Sequence, residues 1–405
     1  MSRQIRRLLP ELSHVSAGFV AVMVGFASSV VIVIQAAQAA GANPAEVGSW
    51  ILALGLGMGG TSIGLSLYYR EPVFTAWSTP GAALLVTGLD GLNLGAATGA
   101  FLFSALLVVL VGASGLFERL IRHIPRALAA ALLAGILLQF GLQAFSALHQ
   151  DVALVAGMFF TYLVGRRWFP RYAIPLVLCV GLLGVAIGGQ LHPGALHLAL
   201  ARPHFVWPSF SIPVLVSVGI PLFVVTMTSQ NLPGFAVLRA NAYQTPISPL
   251  LTVTGLATLL LAPFGGFAFN LSAITAAICV GEEAGSDRGR RYLATVSGGI
   301  FYIIAGLFGA TIAGLFAALP HAFVYALAGF ALLGTLGHGL HVALGDDRDR
   351  EAALVTFLVT ASGLTLFGVG AAFWGLVAGL CTQGFMRARS SRTCDLVGCL
   401  AHTKD

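Results

Sequence analysis

Long apolar runs, separated by short polar or charged stretches, recur along the whole chain. Residues 203–238, 240–281, 292–345 and 352–386 contain no Asp, Glu, Lys or Arg. Each stretch can hold one or two transmembrane helices of about 20 residues. The runs are continuous rather than alternating in polarity, which favours helices over a membrane barrel. The pattern therefore predicts an all-α polytopic membrane protein.

Fourteen apolar segments can be placed along the chain, and the arginines test that number. The segments are 17–40, 47–68, 72–87, 93–114, 126–147, 152–165, 172–190, 212–234, 245–262, 268–281, 292–317, 319–338, 352–369 and 371–387. If the N-terminus is cytoplasmic, every arginine except Arg202 falls on the cytoplasmic side, as the positive-inside rule requires. Because one span more or fewer would reverse all later loops, we predict fourteen crossings with both termini cytoplasmic.

Segments three and ten are short, and both interrupt apolar sequence with small and polar residues. They are VFTAWSTPGAALLVTG (73–88) and FAFNLSAITAAICVG (267–281). The two segments occupy the same place in two halves of seven segments, and the halves would have opposite orientation in the membrane. Inverted repeats with matching broken helices are typical of secondary transporters. The predicted units are a first repeat (1–190), an external loop (191–211), a second repeat (212–388) and a cytoplasmic tail (389–405).

The first break predicts a helix that begins inside the membrane. Ser78 or Thr79 can cap a helix N-terminus, and Pro80 suits its first turn. From Thr79 to Thr87 such a helix spans roughly 13 Å, about half of a 30 Å hydrocarbon core. Residues 72–78 would therefore approach the midplane as extended chain, covered by protein or lining a cavity.

The second break predicts a matching half-helix over 271–281, with Asn270 as its cap. Two helix N-termini, each equivalent to roughly half a positive charge, would then meet at mid-membrane and form an anion site without arginine. TSQNLPG (228–234) is either a helix end, because Pro and Gly stop helices, or part of a ligand site through the amides of Gln230 and Asn231.

Other polar and aromatic residues are less specific. Gln35 in segment one either contacts a ligand or faces the outer water layer. Trp77 and Phe269 flank the breaks and suit the walls of a pocket for a flat apolar ligand. Phe is common throughout this chain, so contact with lipid or core is the default for any one aromatic residue. GLGMGGTS (55–62) lacks the Lys-Ser/Thr of a phosphate loop and favours close helix packing.

Composition supports a membrane protein and argues against other classes. Apolar residues make up 57% of the 405 residues and charged residues 9%, against roughly 25% in soluble domains. The net charge of +6 comes from basic residues scattered at the ends of apolar runs, so topology explains it better than nucleic-acid binding. The spacing of the cysteines and histidines predicts no metal site and no disulfide framework. We predict no cofactor and no catalytic residue, since no nucleophile, metal cluster or acid pair is evident within the spans.

Four motifs closely resemble the benzoate/proton symporter (BenE) family of bacterial inner-membrane proteins. They are TAWSTPGAALL (75–85), TSQNLPGFAVLRA (228–240), APFGGFAFNLSAITAAICVGEEA (262–284) and LVTASGLTLFGVGAAFWGLVAG (358–379). The resemblance covers nearly the whole chain up to about Arg389. It implies a fold of seven-plus-seven inverted repeats, like that of the uracil transporter, and a homodimer. The implied core domain is 12–115 and 212–317, and the implied gate domain is 116–190 and 318–388.

The resemblance places the substrate between the two breaks, facing segments one and eight. The implied substrate-binding residues are Thr75, Trp77, Ser78, Thr79, Gln230, Asn231, Phe269, Asn270, Ser272 and Gln35. The implied function is import of benzoate or a related aromatic carboxylate with a proton, by an elevator or rocking motion in the membrane. Nucleobase carriers of this fold place carboxylates in segments eight and ten, where this chain has amides and small polar residues. A nucleobase or other small-anion carrier is the alternative, and a passive channel also stays open. No Asp or Glu lies deep in any span, so no residue is assigned to proton coupling.

Overall fold

The computed structural model describes residues 10–117, 125–190, 198–367 and 369–401, and each predicted segment contains helix. The helices are α1 (Leu12–Ala39), α2 (Pro44–Tyr69), α3 (Thr79–Gly88), α4 (Leu94–Ser114), α5 (Arg126–Ser146), α6 (Val152–Trp168), α7 (Ala173–Ile187), α8 (Ile212–Ala240), α9 (Ile247–Leu261), α10 (Ile274–Val280), α11 (Tyr292–Leu307), α12 (Gly309–Ala317), α13 (His321–Leu344), α14 (Arg350–Ala361) and α15 (Ala371–Ala401). The described chain also contains two three-residue strands, β1 (Thr75–Trp77) and β2 (Phe269–Leu271), and several short 3₁₀ turns.

Seven helices of the described chain are long and apolar enough to cross a membrane, or eight if α11 and α12 form one span. The seven are α1, α2, α4, α5, α8, α13 and α9, the last counted with the turn that extends it to Phe264. The segment predicted at 292–317 is bent by 59° between α11 and α12. The protein is thus a mostly helical, polytopic membrane protein, and the number of fourteen crossings stays a prediction.

The two broken segments are joined by an antiparallel ribbon that consists of β1 and β2. Thr75 pairs with Leu271, Ala76 with Asn270, and Trp77 with Phe269. The extended chain predicted for 72–78 is confirmed as a strand over 75–77. Backbone N–H and C=O groups inside an apolar bundle need partners, and the pairing supplies them. The sequence indicated both breaks but not that they pair with each other.

The helix that follows β1 begins as predicted, and the helix that follows β2 does not. The Ser78 hydroxyl accepts a hydrogen bond from Gly81 N (2.9 Å) and caps α3. The N-cap of α10 is Ala273, with no side-chain bond to the helix. The prediction that Asn270 caps this helix is wrong, because Asn270 lies in β2 and donates its side-chain amide to Ala268 O.

Helix α8 contains two wide turns of π-helix, at 215–219 and 227–231. Each turn ends two residues before a proline, Pro221 or Pro233. Proline has no N–H and its ring crowds the carbonyl of the preceding turn, so a wider turn lets the helix continue past it. The alternative that TSQNLPG ends a helix is therefore wrong, since α8 runs on to Ala240.

Glycines allow α2 to pack closely against α11, as the motif GLGMGGTS predicted. A Cβ added at Gly55 would lie 2.6 Å from Gly306 Cα, and one at Gly59 would lie 2.5 Å from Gly299 O. Such small-residue contacts are the usual way in which membrane helices approach each other. Helix α5 packs instead against α13 and α14. The division into core and gate domains stays a prediction.

The second half departs from its predicted limits near the C-terminus. Helix α14 ends at Ala361, before the predicted 369, and α15 continues to Ala401, past the predicted 387. Within the predicted external loop, residues 198–211 are without helix and bond to the helical body, for example through Val206 N to Pro263 O (2.7 Å).

Candidate functional site

Strand β1 is fixed to α2 through the side chain of Thr75. The Thr75 hydroxyl donates to Met58 O (3.0 Å) and lies 2.6 Å from the Thr61 hydroxyl and 2.8 Å from the Ser62 hydroxyl. The backbone N of Thr75 donates to the same Ser62 oxygen at 3.0 Å. A hydroxyl has one donor and two acceptor positions, so this buried group has no capacity left for a ligand. Thr75, predicted to bind substrate, is placed where it holds the strand.

One face of the ribbon packs against α1 and α2 through its aromatic side chains. The Trp77 indole N–H donates to Ser29 Oγ of α1 (2.8 Å), and its ring lies 5.2 Å from that of Phe26. The Phe269 ring occupies the space beside Gly57, where any Cβ would overlap it. Both aromatic side chains are buried and hold the ribbon in place.

The opposite face of the ribbon carries Ala76 and Asn270, because directly paired residues share a face. Asn270 is fully buried, and its Nδ2 donates to Ala268 O at 2.7 Å. Its Oδ1 has no hydrogen-bond partner among the described residues. A buried polar atom without a partner is costly and calls for an explanation, for which ligand binding is one candidate. Ala76, its partner on this face, is half-buried.

Ala268 adopts a strained backbone conformation directly beside Asn270. Its φ is 44°, in the left-handed region that alanine rarely occupies. In this conformation its carbonyl oxygen accepts from both Asn270 Nδ2 (2.7 Å) and Ser78 N (3.2 Å). Strain of this kind costs about 1–3 kcal/mol and concentrates at functional sites.

Asn231 lies in the second wide turn of α8 and fixes β2. Its Oδ1 accepts from Leu271 N (3.0 Å), and Gly234 allows the approach, since a Cβ there would lie 2.7 Å from Leu271 Cβ. Gln230, the preceding residue, is half-buried and its side chain makes no described hydrogen bond. The structure thus brings the Asn231 amide to the ribbon, while the Gln230 amide has no described partner.

The starts of α3 and α10 lie at opposite ends of the ribbon. Ser78 and Ser272 are four strand positions apart, or about 14 Å at 3.4 Å per residue. A single carboxylate can reach only one of them, which revises the expectation that both N-termini meet at one anion. At α3, half-buried Thr79 stands in the first turn; at α10, the Ser272 and Thr275 hydroxyls bond to each other.

Gln35, in α1, has no described side-chain hydrogen bond to β1 or β2. It lies six residues beyond Ser29 in α1, about 9 Å further along the helix axis. Its side chain is half-buried, and its Oε1 has no described partner.

Sequence reasoning missed the residues that position the ribbon, namely Ser29, Met58, Thr61 and Ser62. The signal available was a pair of hydroxyl residues at the end of GLGMGGTS, which close packing alone does not require.

Charged groups stabilise the ends of the broken segments. The Arg291 guanidinium donates to Val280 O (2.7 Å) at the C-terminus of α10, where a cation is favoured. The Glu71 carboxylate, just before β1, accepts from Gln244 N (3.1 Å) and Thr245 N (2.9 Å).

The described chain contains no group of three or more His, Cys, Asp or Glu that could hold a metal ion.

Solved structures of membrane transporters share this fold. The transmembrane domain of a cyanobacterium bicarbonate transporter, BicA, matches with a TM-score of 0.56 at 14% identity, over 93% of this chain and 98% of that one. SLC26A9 matches with a TM-score of 0.58 at 13% identity, over 92% of this chain and 65% of that one.

The chain belongs to the BenE family, described as benzoate membrane transport protein, which matches residues 10–385. It is therefore a membrane transport protein and not an enzyme. The Escherichia coli inner membrane protein YdcO is 51% identical over 363 residues, which are 90% of this chain and 93% of that protein. The Acinetobacter baylyi benzoate membrane transport protein is 39% identical over 369 residues, 91% of this chain and 94% of that protein.

Proposed function

We propose that the protein imports benzoate or a related aromatic carboxylate, together with a proton, across the bacterial inner membrane. The observation that carries the proposal is the buried amide of Asn270 on an uncharged face of the ribbon, because its Oδ1 has no hydrogen-bond partner among the described residues. The family, a relative named for benzoate transport and a relative named as an inner membrane protein support the substrate and the location.

The carboxyl group of the substrate binds between Asn270 and the start of α3. In the first turn of α3, Pro80 has no N–H and Gly81 N donates to Ser78, which leaves the N–H of Thr79 for a ligand. The N-terminus of a helix favours such an acceptor group. The aromatic ring lies between this face and α5, because α5 packs against both α3 and the 227–231 turn. Gln230 contributes its amide from the side.

Transport follows from movement of the core domain against the gate domain, by an elevator or rocking motion that exposes the ribbon to each side in turn. The inverted repeat, fourteen crossings, cytoplasmic termini and a homodimer are parts of this proposal. Thr75 and Asn231 act as positioning residues, since their polar atoms are engaged by α2 and β2.

Ligand binding to the purified protein tests the substrate. We expect benzoate to raise the thermal unfolding temperature, whereas uracil and bicarbonate leave it unchanged. Replacement of Gln230 by Leu should weaken benzoate binding, and Gln38→Leu serves as the matched control, because Gln38 is an exposed amide in α1. Stabilisation by uracil or bicarbonate and not by benzoate would favour the alternative, a nucleobase or other small-anion carrier on the same fold.

A further inference from the structure

We propose that the site binds its substrate as the neutral carboxylic acid, so that the coupled proton travels on the substrate. The inference rests on the proposed function and concerns the same site. It follows from the orientation of the Asn270 amide and from the distribution of ionisable residues along the helices.

The orientation of the Asn270 amide is fixed by its neighbour. A carbonyl oxygen such as Ala268 O can only accept, so the side-chain atom 2.7 Å from it must be the NH₂ group. The free atom is therefore Oδ1, which is buried and has no partner among the described residues. The flipped amide would place two acceptors against each other.

Asn270 Oδ1 is an acceptor without a described partner, so it favours a ligand that donates a hydrogen bond. A carboxylate has only acceptor oxygens, so its approach to Oδ1 places like partial charges together. A carboxylic acid has one O–H donor and one carbonyl acceptor. The O–H satisfies Asn270 Oδ1, and the carbonyl oxygen accepts from the N–H of Thr79. The acid thus complements both ends of the site, whereas the anion complements only one.

Carboxyl groups are absent from the middle turns of helices α1 to α14. Within α1 to α14, every Asp, Glu and Arg lies in a first or last turn, and Lys does not occur. The closest acidic residue to the ribbon along the chain, Glu71, is bonded to the 244–245 backbone before β1 begins. No Asp or Glu in the middle of α1 to α14 is therefore available to carry the proton, whereas the carboxyl group of the substrate can carry it.

The proton balance is simple. On the outer side the carboxylate oxygen takes up one proton from water and forms an O–H bond. The neutral acid crosses with the ribbon, and on the inner side the O–H bond breaks and the proton returns to water. One proton and one anion move together, so no net charge crosses the membrane.

This scheme fixes how affinity depends on pH. An aromatic carboxyl group titrates near pH 4, as side-chain carboxyls do, so at pH 7 roughly one molecule in a thousand is the acid. If only the acid binds, the apparent Kd for total benzoate rises about tenfold for each pH unit above this range.

The test compares three ligands on the purified full-length protein between pH 5.5 and pH 8, by titration calorimetry in two buffers of different ionisation enthalpy. Benzamide is neutral throughout, with an N–H donor and a carbonyl acceptor, and benzenesulfonate is an anion throughout. We expect benzoate to bind about tenfold more weakly per pH unit with uptake of one proton per molecule. Benzamide should bind with constant affinity, and benzenesulfonate should not bind.

Three results would overturn the inference. Benzoate affinity that is independent of pH, with no proton uptake, would show that the anion binds. Benzenesulfonate binding as tightly as benzoate would show the same. In both cases the proposed function stands, because an aromatic acid still binds. If neither benzoate nor benzamide binds at any pH, the proposed function fails and the inference fails with it.

Discussion

Replacement of Thr75 by Val tests whether this residue positions the ribbon or contacts the substrate. Valine has nearly the same shape, so the change removes the hydroxyl and leaves no cavity. The hydroxyl donates to Met58 O at 3.0 Å and lies 2.6 and 2.8 Å from the hydroxyls of Thr61 and Ser62. All of these groups are buried side by side where β1 meets α2.

The expected cost follows from these contacts. A buried hydrogen bond contributes a net of about 0.5–1.5 kcal/mol, and a buried polar group left alone costs about 1–3 kcal/mol. Thr61 keeps a second acceptor, Gly57 O at 2.6 Å, and Ser62 keeps its bond from the backbone N of residue 75. We therefore expect Thr75→Val to lower the free energy of unfolding by about 1–3 kcal/mol.

The assay pairs unfolding in a titration with sodium dodecyl sulfate with the benzoate Kd of the folded fraction. Thr87→Val is the matched control, since the described bond of this exposed residue's hydroxyl is to Leu84 O in its own helix (3.1 Å), and the change should alter the free energy of unfolding by less than about 0.5 kcal/mol. The Kd of the folded Thr75→Val protein should equal that of the wild type. Unchanged stability with tenfold weaker binding would refute the reasoning and identify Thr75 as a substrate contact.

Three other substitutions test the ribbon. Gly57→Ala should destabilise the protein and reduce uptake, because the added Cβ overlaps the Phe269 ring, whereas Gly60→Ala in the same helix meets nothing within 4 Å and should be neutral; equal uptake by both variants would contradict this packing. Asn270→Asp should resemble the wild type only when the new carboxyl is protonated, since only the acid can donate to Ala268 O as the amide does. Because the ionised carboxyl cannot donate to Ala268 O, the variant should lose stability relative to the wild type as pH rises above about 4, and a constant difference in unfolding free energy between pH 4 and pH 8 would count against the assignment. Trp77→Phe should cost about 0.5–1.5 kcal/mol through the lost bond to Ser29, with Trp207→Phe on the exposed loop as control; equal stability of the two variants would argue against that bond.

The sequence predicted those features of the site that depend on local signals. Ser78 and Pro80 mark the start of α3 because capping and proline placement act within one turn. Asn270 satisfies the same local rule, yet the chain uses its side chain within β2, since pairing with β1 delays the start of α10. A local pattern cannot show which of two roles a capping residue takes when a partner nearly two hundred residues away decides between them.

The residues that anchor the ribbon could not be predicted from local sequence patterns for the same reason. Thr61 and Ser62 carry no signal in α2 until β1 is placed against them. The wide turns of α8 had a visible signal, a proline two residues after each, but proline predicts a helix end as readily as a widened turn. The different roles of Gln230 and Asn231 therefore became evident only from the three-dimensional structure.

Uptake of labelled benzoate into proteoliposomes, with and without an inward proton gradient and with the membrane potential clamped, tests the central claim most directly. The account predicts saturable uptake that exceeds equilibrium only when the gradient is present and that is insensitive to the potential. Uptake no greater than in protein-free liposomes would contradict the proposal that this protein carries benzoate, and uptake that never exceeds equilibrium would contradict coupling to protons.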